Sequence, residues 1–126
     1  MRSAFRFVAT AALGCALMAG AGAQAGEADV VGVEASQSAN GTWRFDVTVA
    51  HEDEGWDHYA DQWEVLAPDG TVLGERVLAH PHVTEQPFTR SLSGVVIPPE
   101  IDTVTIRARD SVHGYGGAEM TVAIER

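Results

Sequence analysis

The chain of 126 residues has one cysteine, Cys15, and no lysine at all. Cys15 lies inside an apolar N-terminal run, so the segment that follows has no thiol. That excludes disulfides, thiolate metal sites and cysteine nucleophiles from the folded part. The lack of lysine removes Schiff-base and Ser–Lys chemistry. Positive charge is scarce. Setting aside Arg2 and Arg6 leaves six arginines against eighteen acids, a net charge of −12. A field of that sign repels phosphate backbones and anionic lipid, so nucleic acid and membrane surfaces are poor partners, whereas cations and basic partners are favoured. No nucleophile elbow, SxxK motif or Gly-rich phosphate loop occurs, and Ser91, Ser93 and Ser111 have no accompanying signature. Acid–base chemistry could be drawn from Glu85, Asp110 and a histidine, but a non-enzyme is expected.

What is present begins with an export signal at residues 1–25. Arg2 and Arg6 form a basic start, Phe7 to Ala23 is apolar and rich in small residues, and Ala23-Gln24-Ala25 fits a small-x-small cleavage site followed by acids. The apolar run is too short and too broken by Gly14, Gly20 and Gly22 for a membrane span. A lipoprotein signal cut before Cys15 is the rival; Ala12-Leu13-Gly14-Cys15 is a poor lipobox, because leucine stands where a small residue is needed. A periplasmic or secreted domain over residues 26–126 is expected, with no stable membrane insertion after cleavage.

That domain has room for one core. Its period is two, not 3.6, with turn residues between the runs. Strands are expected at 29–37 (Val31, Val33 and Ala35 on one side), 43–50 (Trp43, Phe45, Val47 and Val49 inward), 62–67, 71–79, 89–97, 103–109 (Val104, Ile106 and Ala108 inward) and 118–125. Asn40-Gly41 and Pro68-Asp69-Gly70 read as tight turns, and Gly74 as a bulge. Seven short strands, with Trp63 on the third, resemble a single seven-stranded antiparallel immunoglobulin-like or fibronectin type III-like β-sandwich. The absence of paired cysteines and of a tyrosine corner favours the fibronectin-like relatives.

If consecutive strands alternate in direction, the connections after strands two, four and six share one pole. They hold all five histidines: His51, His58, His80, His82 and His113. Gly26 should lie at that pole too. Neutral imidazole is a common ligand for Cu(II) and Zn(II). His51, in phase with Val47 and Val49, should point inward at the mouth. The expected ligand set is His51, His80, His82 and His113, with His58 or Asp57 in reserve. The alternative is incidental clustering, with His51 capping the sandwich and His80 and His82 flanking a turn. A second functional reading uses the same loops without metal, as a recognition surface of Trp56, Asp57, Tyr59 and Tyr115 for an exported protein or metalloprotein. Its bland counterpart has Trp56 and Tyr59 folded back over the core.

Overall fold

A computed structural model describes residues 26–126. The expected export signal at 1–25, with Cys15, lies outside the described residues. Among the described residues there is no helix. Eight antiparallel strands form two sheets: β1 (Asp29–Gln37), β2 (Trp43–Ala50), β3 (Ala60–Leu66), β4 (Val72–Val77), β5 (Phe88–Val95), β6 (Thr103–Asp110), β7 (Gly114–Tyr115) and β8 (Met120–Ala123). One sheet has the order β1-β2-β5; the other runs β4-β3-β6, with β7 and β8 on the far edge of β6. The expected β-sandwich is therefore observed. A constant-type immunoglobulin sandwich would set the fourth strand beside the fifth, whereas here β4 hydrogen-bonds β3.

β2 follows its sequence period strictly. Trp43, Phe45, Val47 and Val49 are buried, as are Val104, Ile106 and Ala108 on β6, and Trp63 and Val65 on β3. Together with Phe88, Val30 and Leu78 they form one core between the sheets. At roughly 1.5–3 kcal/mol per fully buried large apolar side chain, this core dominates the stability of the domain.

Three expectations are corrected. In β1 the core residue is Val30, and Val31 is 51% exposed, because a bulge between Val30 and Gly32 leaves Val31 unpaired and flips the phase. Eight strands stand in place of seven, because the connection expected after the sixth forms the short β7, while the last expected strand (118–125) is paired over β8 alone. The break between β7 and β8 sits at Gly116-Gly117, where the chain leaves β6 to meet β1: Val30 N donates to Ala118 O at 2.8 Å, and Ala118 N donates to Asp29 Oδ1 at 2.7 Å. A Cβ on Gly117 would collide with the Ala28 carbonyl, and one on Gly116 would lie 2.6 Å from Glu27 Oε2. Gly117 is demanded by close approach to backbone, whereas the atoms near Gly116 belong to the end of the exposed Glu27 side chain, which can move aside. Finally, in the Asn40-Gly41 turn only Gly41 has positive φ (+91°). Ser38 and Thr42 pair around three residues, with Asn40 Oδ1 accepting from Thr42 N. That is a three-residue loop ending in a left-handed glycine, and Pro68-Asp69-Gly70 repeats it between Ala67 and Thr71.

Candidate metal centre

The pole opposite these short turns is built by the β2–β3, β4–β5 and β6–β7 connections and by Gly26. Two core-facing parities run on into it. On β2 the series Phe45, Val47, Val49 continues to His51, and on β6 the series Ile106, Ala108 continues to Asp110; both end residues are buried. His58 is brought over them by a tight return: His58 N donates to Gly55 O, and Glu54 N donates to His58 O at 2.8 Å. Gly55 takes φ +100° to make that turn. His113 sits three residues past Asp110, where its own N–H donates to Asp110 Oδ2 at 2.9 Å.

The result is a compact constellation. The His51 and His58 ring centroids are 4.8 Å apart, and those of His58 and His113 are 5.0 Å apart. His58 Nε2 lies 2.9 Å from Asp110 Oδ2 and 3.1 Å from Gly26 O. His51 Nε2 lies 3.3 Å from the same carbonyl. His113 Nδ1 is 2.9 Å from Asp110 Oδ2. The Asp110 carboxylate is fully buried, and its Oδ1 is enclosed without a hydrogen-bond partner. One ligand atom from each of His51, His58 and Asp110 falls within 4.8 Å of the others. Bonds of about 2.0–2.2 Å draw ligand atoms to at most ~4.4 Å apart, so a contraction of a few tenths of an ångström would seat an ion. The group can hold a metal.

The rest of each imidazole is committed. His51 Nδ1 is 2.6 Å from Asp53 Oδ1, with both side chains essentially inaccessible (1% and 0%). His58 Nδ1 is 3.0 Å from Glu54 Oε1. Metal-bound histidines usually direct the second ring nitrogen at a carboxylate or carbonyl in this way, which fixes the ring and leaves Nε2 for the ion. Burial pulls the His58 pKa down, but the bonds to Glu54, Gly26 O and Asp110 outweigh it and hold it above the usual value. Burial pushes Asp110 up, yet the donors at His113 and Val112 more than offset this and keep it below the normal carboxylate range.

The expected ligand set is only partly gathered. His51 and His113 are here, and the reserve residue His58 is at the centre. His80 and His82 pair with each other instead, ring centroids 4.8 Å apart. The His82 ring stacks on Phe88 at 4.0 Å, and its Nε2 meets Arg90 Nη2 at 2.8 Å. The Phe88 stack and Arg90 engage the His82 ring on its own side; the link between the two groups is Asp53, whose Oδ2 accepts from His82 N at 2.7 Å. Asp57 is exposed in its loop. Trp56 is 67% exposed and touches Tyr59 edge-on, so it does not fold back over the core. Tyr115 is occupied on the sheet face: its hydroxyl accepts from Gln62 Nε2, and Arg107 lies 4.0 Å over its ring.

No protein-family model matches the chain. A protein of Halomicrobium mukohataei bearing the name "Putative lipoprotein" is 42% identical over 99 residues, which make up 79% of this chain and 48% of that protein. The chain thus spans about half the length of the curated relative it matches. Among solved structures, a hypothetical protein of Pyrococcus horikoshii OT3 superposes with a TM-score of 0.53 over 79% of this chain and 90% of its own, at 13% identity. That likeness concerns the fold alone. An oxidized superoxide reductase overlaps 81% of this chain and 91% of its own at 16% identity, with a TM-score of 0.49, too loose to carry an inference.

Asp110, Asp53, Glu54 and the Gly26 carbonyl escaped the sequence reading as parts of a metal site. For Asp110 a signal existed: an acid on the inward parity directly after Val104, Ile106 and Ala108. Asp53, Glu54 and Gly26 are placed by loop geometry that no period encodes.

Proposed function

We propose that this domain is an exported β-sandwich that binds one divalent transition-metal ion, Cu(II) or Zn(II), through His51, His58 and Asp110 with His113 at the rim. Its role is non-catalytic, as an accessory or delivery protein. One observation carries the reading. His51 and His58 each lie between two acceptors, a carboxylate at Nδ1 and the Gly26 carbonyl at Nε2. A neutral imidazole has one N–H and satisfies one of them. A divalent cation between the two Nε2 atoms would take up the ring nitrogens that have no proton to offer. It would also give Asp110 Oδ1, enclosed without a hydrogen-bond partner, a counter-charge. Export is supported by the N-terminal signal pattern and by the name of the Halomicrobium relative. That name also draws attention to Cys15 as an anchor, and the intact mass of the exported protein decides between the two cuts.

Titration with Cu(II) and with Zn(II) tests the reading. One ion per chain should bind more tightly than about micromolar, equivalent to roughly −8 kcal/mol. His58→Ala should lose at least about tenfold in affinity, and His80→Ala should lose none. Absence of binding at that level overturns the assignment. A metal-free recognition surface is the second reading, favoured by the exposed Trp56 among Glu52, Glu54 and Asp57. Aromatics within acids are suited to a basic partner.

A further inference from the structure

We propose that removal of residues 1–25 completes the metal centre: the freed α-amine and the carbonyl oxygen of Gly26 bind, as one chelate, the ion held by His51, His58 and Asp110. This rests on the metal reading above. Gly26 O already lies 3.1 Å from His58 Nε2 and 3.3 Å from His51 Nε2. A Cβ on residue 26 would stand 3.1 Å from His113 Cε1, so a side chain at this position would crowd that ring. The segment behind it is no loose tail. Ala28 is fully buried, Val30 N and Asp29 Oδ1 are bonded to Ala118, and Gly117 meets the Ala28 backbone so closely that it has no space for a side chain. Gly26 is therefore held at the ion site by its neighbours. The Ala23-Gln24-Ala25 pattern places the cut directly before it.

The chemistry distinguishes the two states of the chain. In an uncut chain the Gly26 nitrogen is a planar amide with no lone pair to give, and only the carbonyl is available. After cleavage the nitrogen is a tetrahedral amine whose lone pair a cation can take in place of the proton. Amine nitrogen and carbonyl oxygen of one residue close a five-membered ring on a cation, and the amine proton leaves to solvent as the ion binds. Three nitrogens and two oxygens then surround the ion, a donor set suited to tetragonal Cu(II).

Two forms of the chain decide this, both released from a fusion: one beginning at Gly26 and one retaining Ala23-Gln24-Ala25. Each is titrated with Cu(II) alone in a non-coordinating buffer, and its EPR spectrum is recorded. The Gly26 form should bind at least about tenfold more tightly, because the second donor of the chelate acts intramolecularly. Its spectrum should show one more coupled nitrogen than the extended form. The exported protein should have the mass of residues 26–126. Equal affinity and equal nitrogen coupling in the two forms overturn the chelate and leave the His/Asp site standing. No binding by either form overturns both. An exported mass that begins elsewhere, including at a lipid-bearing Cys15, overturns the maturation step.

Discussion

His58 and His82 sit at the same pole and are driven in opposite directions. Hydrogen bonds hold His58 above the usual imidazole value near 6.5, against the pull of burial. Burial first, then Arg90 and His80, push His82 below it, with Glu85 and Asp53 opposing. For His58 the linked stability is complete below the unfolded value and is lost as pH rises through the higher folded value. For His82 the stability is present above the unfolded value and is lost as pH falls through the lower folded one. His82→Phe keeps a ring against Phe88 and removes the proton site. It should raise the urea midpoint at pH 5 relative to that at pH 7.5; an unchanged difference would refute the role given to His82. Protons and metal compete for His58, so Cu(II) affinity should fall as pH drops below the raised His58 value. The two carboxylates that hold the imidazoles differ in kind. Asp53 is buried and also accepts from Ala60 N and His82 N. Asp53→Ala leaves two buried N–H groups and a ring nitrogen unpaired and should cost about 2–4 kcal/mol of stability. Glu54, whose side chain is 68% exposed, should cost under about 1 kcal/mol when replaced by Ala. Yet it should weaken metal binding by roughly tenfold or more, since it orients His58. Denaturant midpoints and Cu(II) titrations of the two variants separate these outcomes.

At the scale of elements, two glycines make a controlled comparison. A Cβ on Gly74 would lie 2.9 Å from Leu92 Cδ2 and 3.2 Å from Val95 Cγ2. The nearer atom is the end of a flexible side chain, so Gly74→Ala should cost about 1 kcal/mol. A Cβ on Gly117 would run into the Ala28 backbone, which cannot yield without parting β1 from the β8 end. Gly117→Ala should cost more, about 2–4 kcal/mol, and should speed amide exchange at Val30 and Ala118. Equal effects of the two changes would show that the crossing at 116–119 is not the tight joint described. The same elements show what a sequence can and cannot convey. β2 was legible because four large apolar residues hold one phase against polar neighbours, and a one-residue slip would bury Arg44 and Asp46. β1 was misread at Val31 because its valines occupy both phases, and only pairing with β2 reveals the bulge. The gathering of histidines at one pole followed from strand direction alone. Which of them meet did not: His80-Pro81-His82 looked like a pair aimed at the ion, and it is Phe88 and Arg90 that claim His82.

For the whole molecule, the question is whether metal holds the fold or the fold holds the metal. The apolar core runs from Trp43 and Val95 through Phe45, Val47, Ile106 and Trp63, all within the two sheets and none dependent on the loop pole. The site is tied to the sheets through His51, the residue after β2, and Asp110, the last residue of β6. The chain should therefore remain folded when stripped of metal by a chelator, unlike a small domain whose metal supplies its core. Binding should still stabilise it by mass action. With free ion at 100 times the dissociation constant the gain is about 2.7 kcal/mol. For a domain of this size each kcal/mol moves the midpoint by about 4–8 °C, so saturation should raise Tm by roughly 10–20 °C. The net charge of −12 makes a further distinction. Nonspecific condensation of cations on an acidic surface is screened by added salt, whereas a site enclosed by His51, Asp53 and Asp110 is screened much less. The rise with Cu(II) should survive 0.5 M NaCl and vanish in His58→Ala. A rise that persists in His58→Ala, or that salt abolishes, would belong to the acidic surface rather than to the histidine centre. Unfolding of the stripped protein at room temperature would reverse the order of dependence argued from the core.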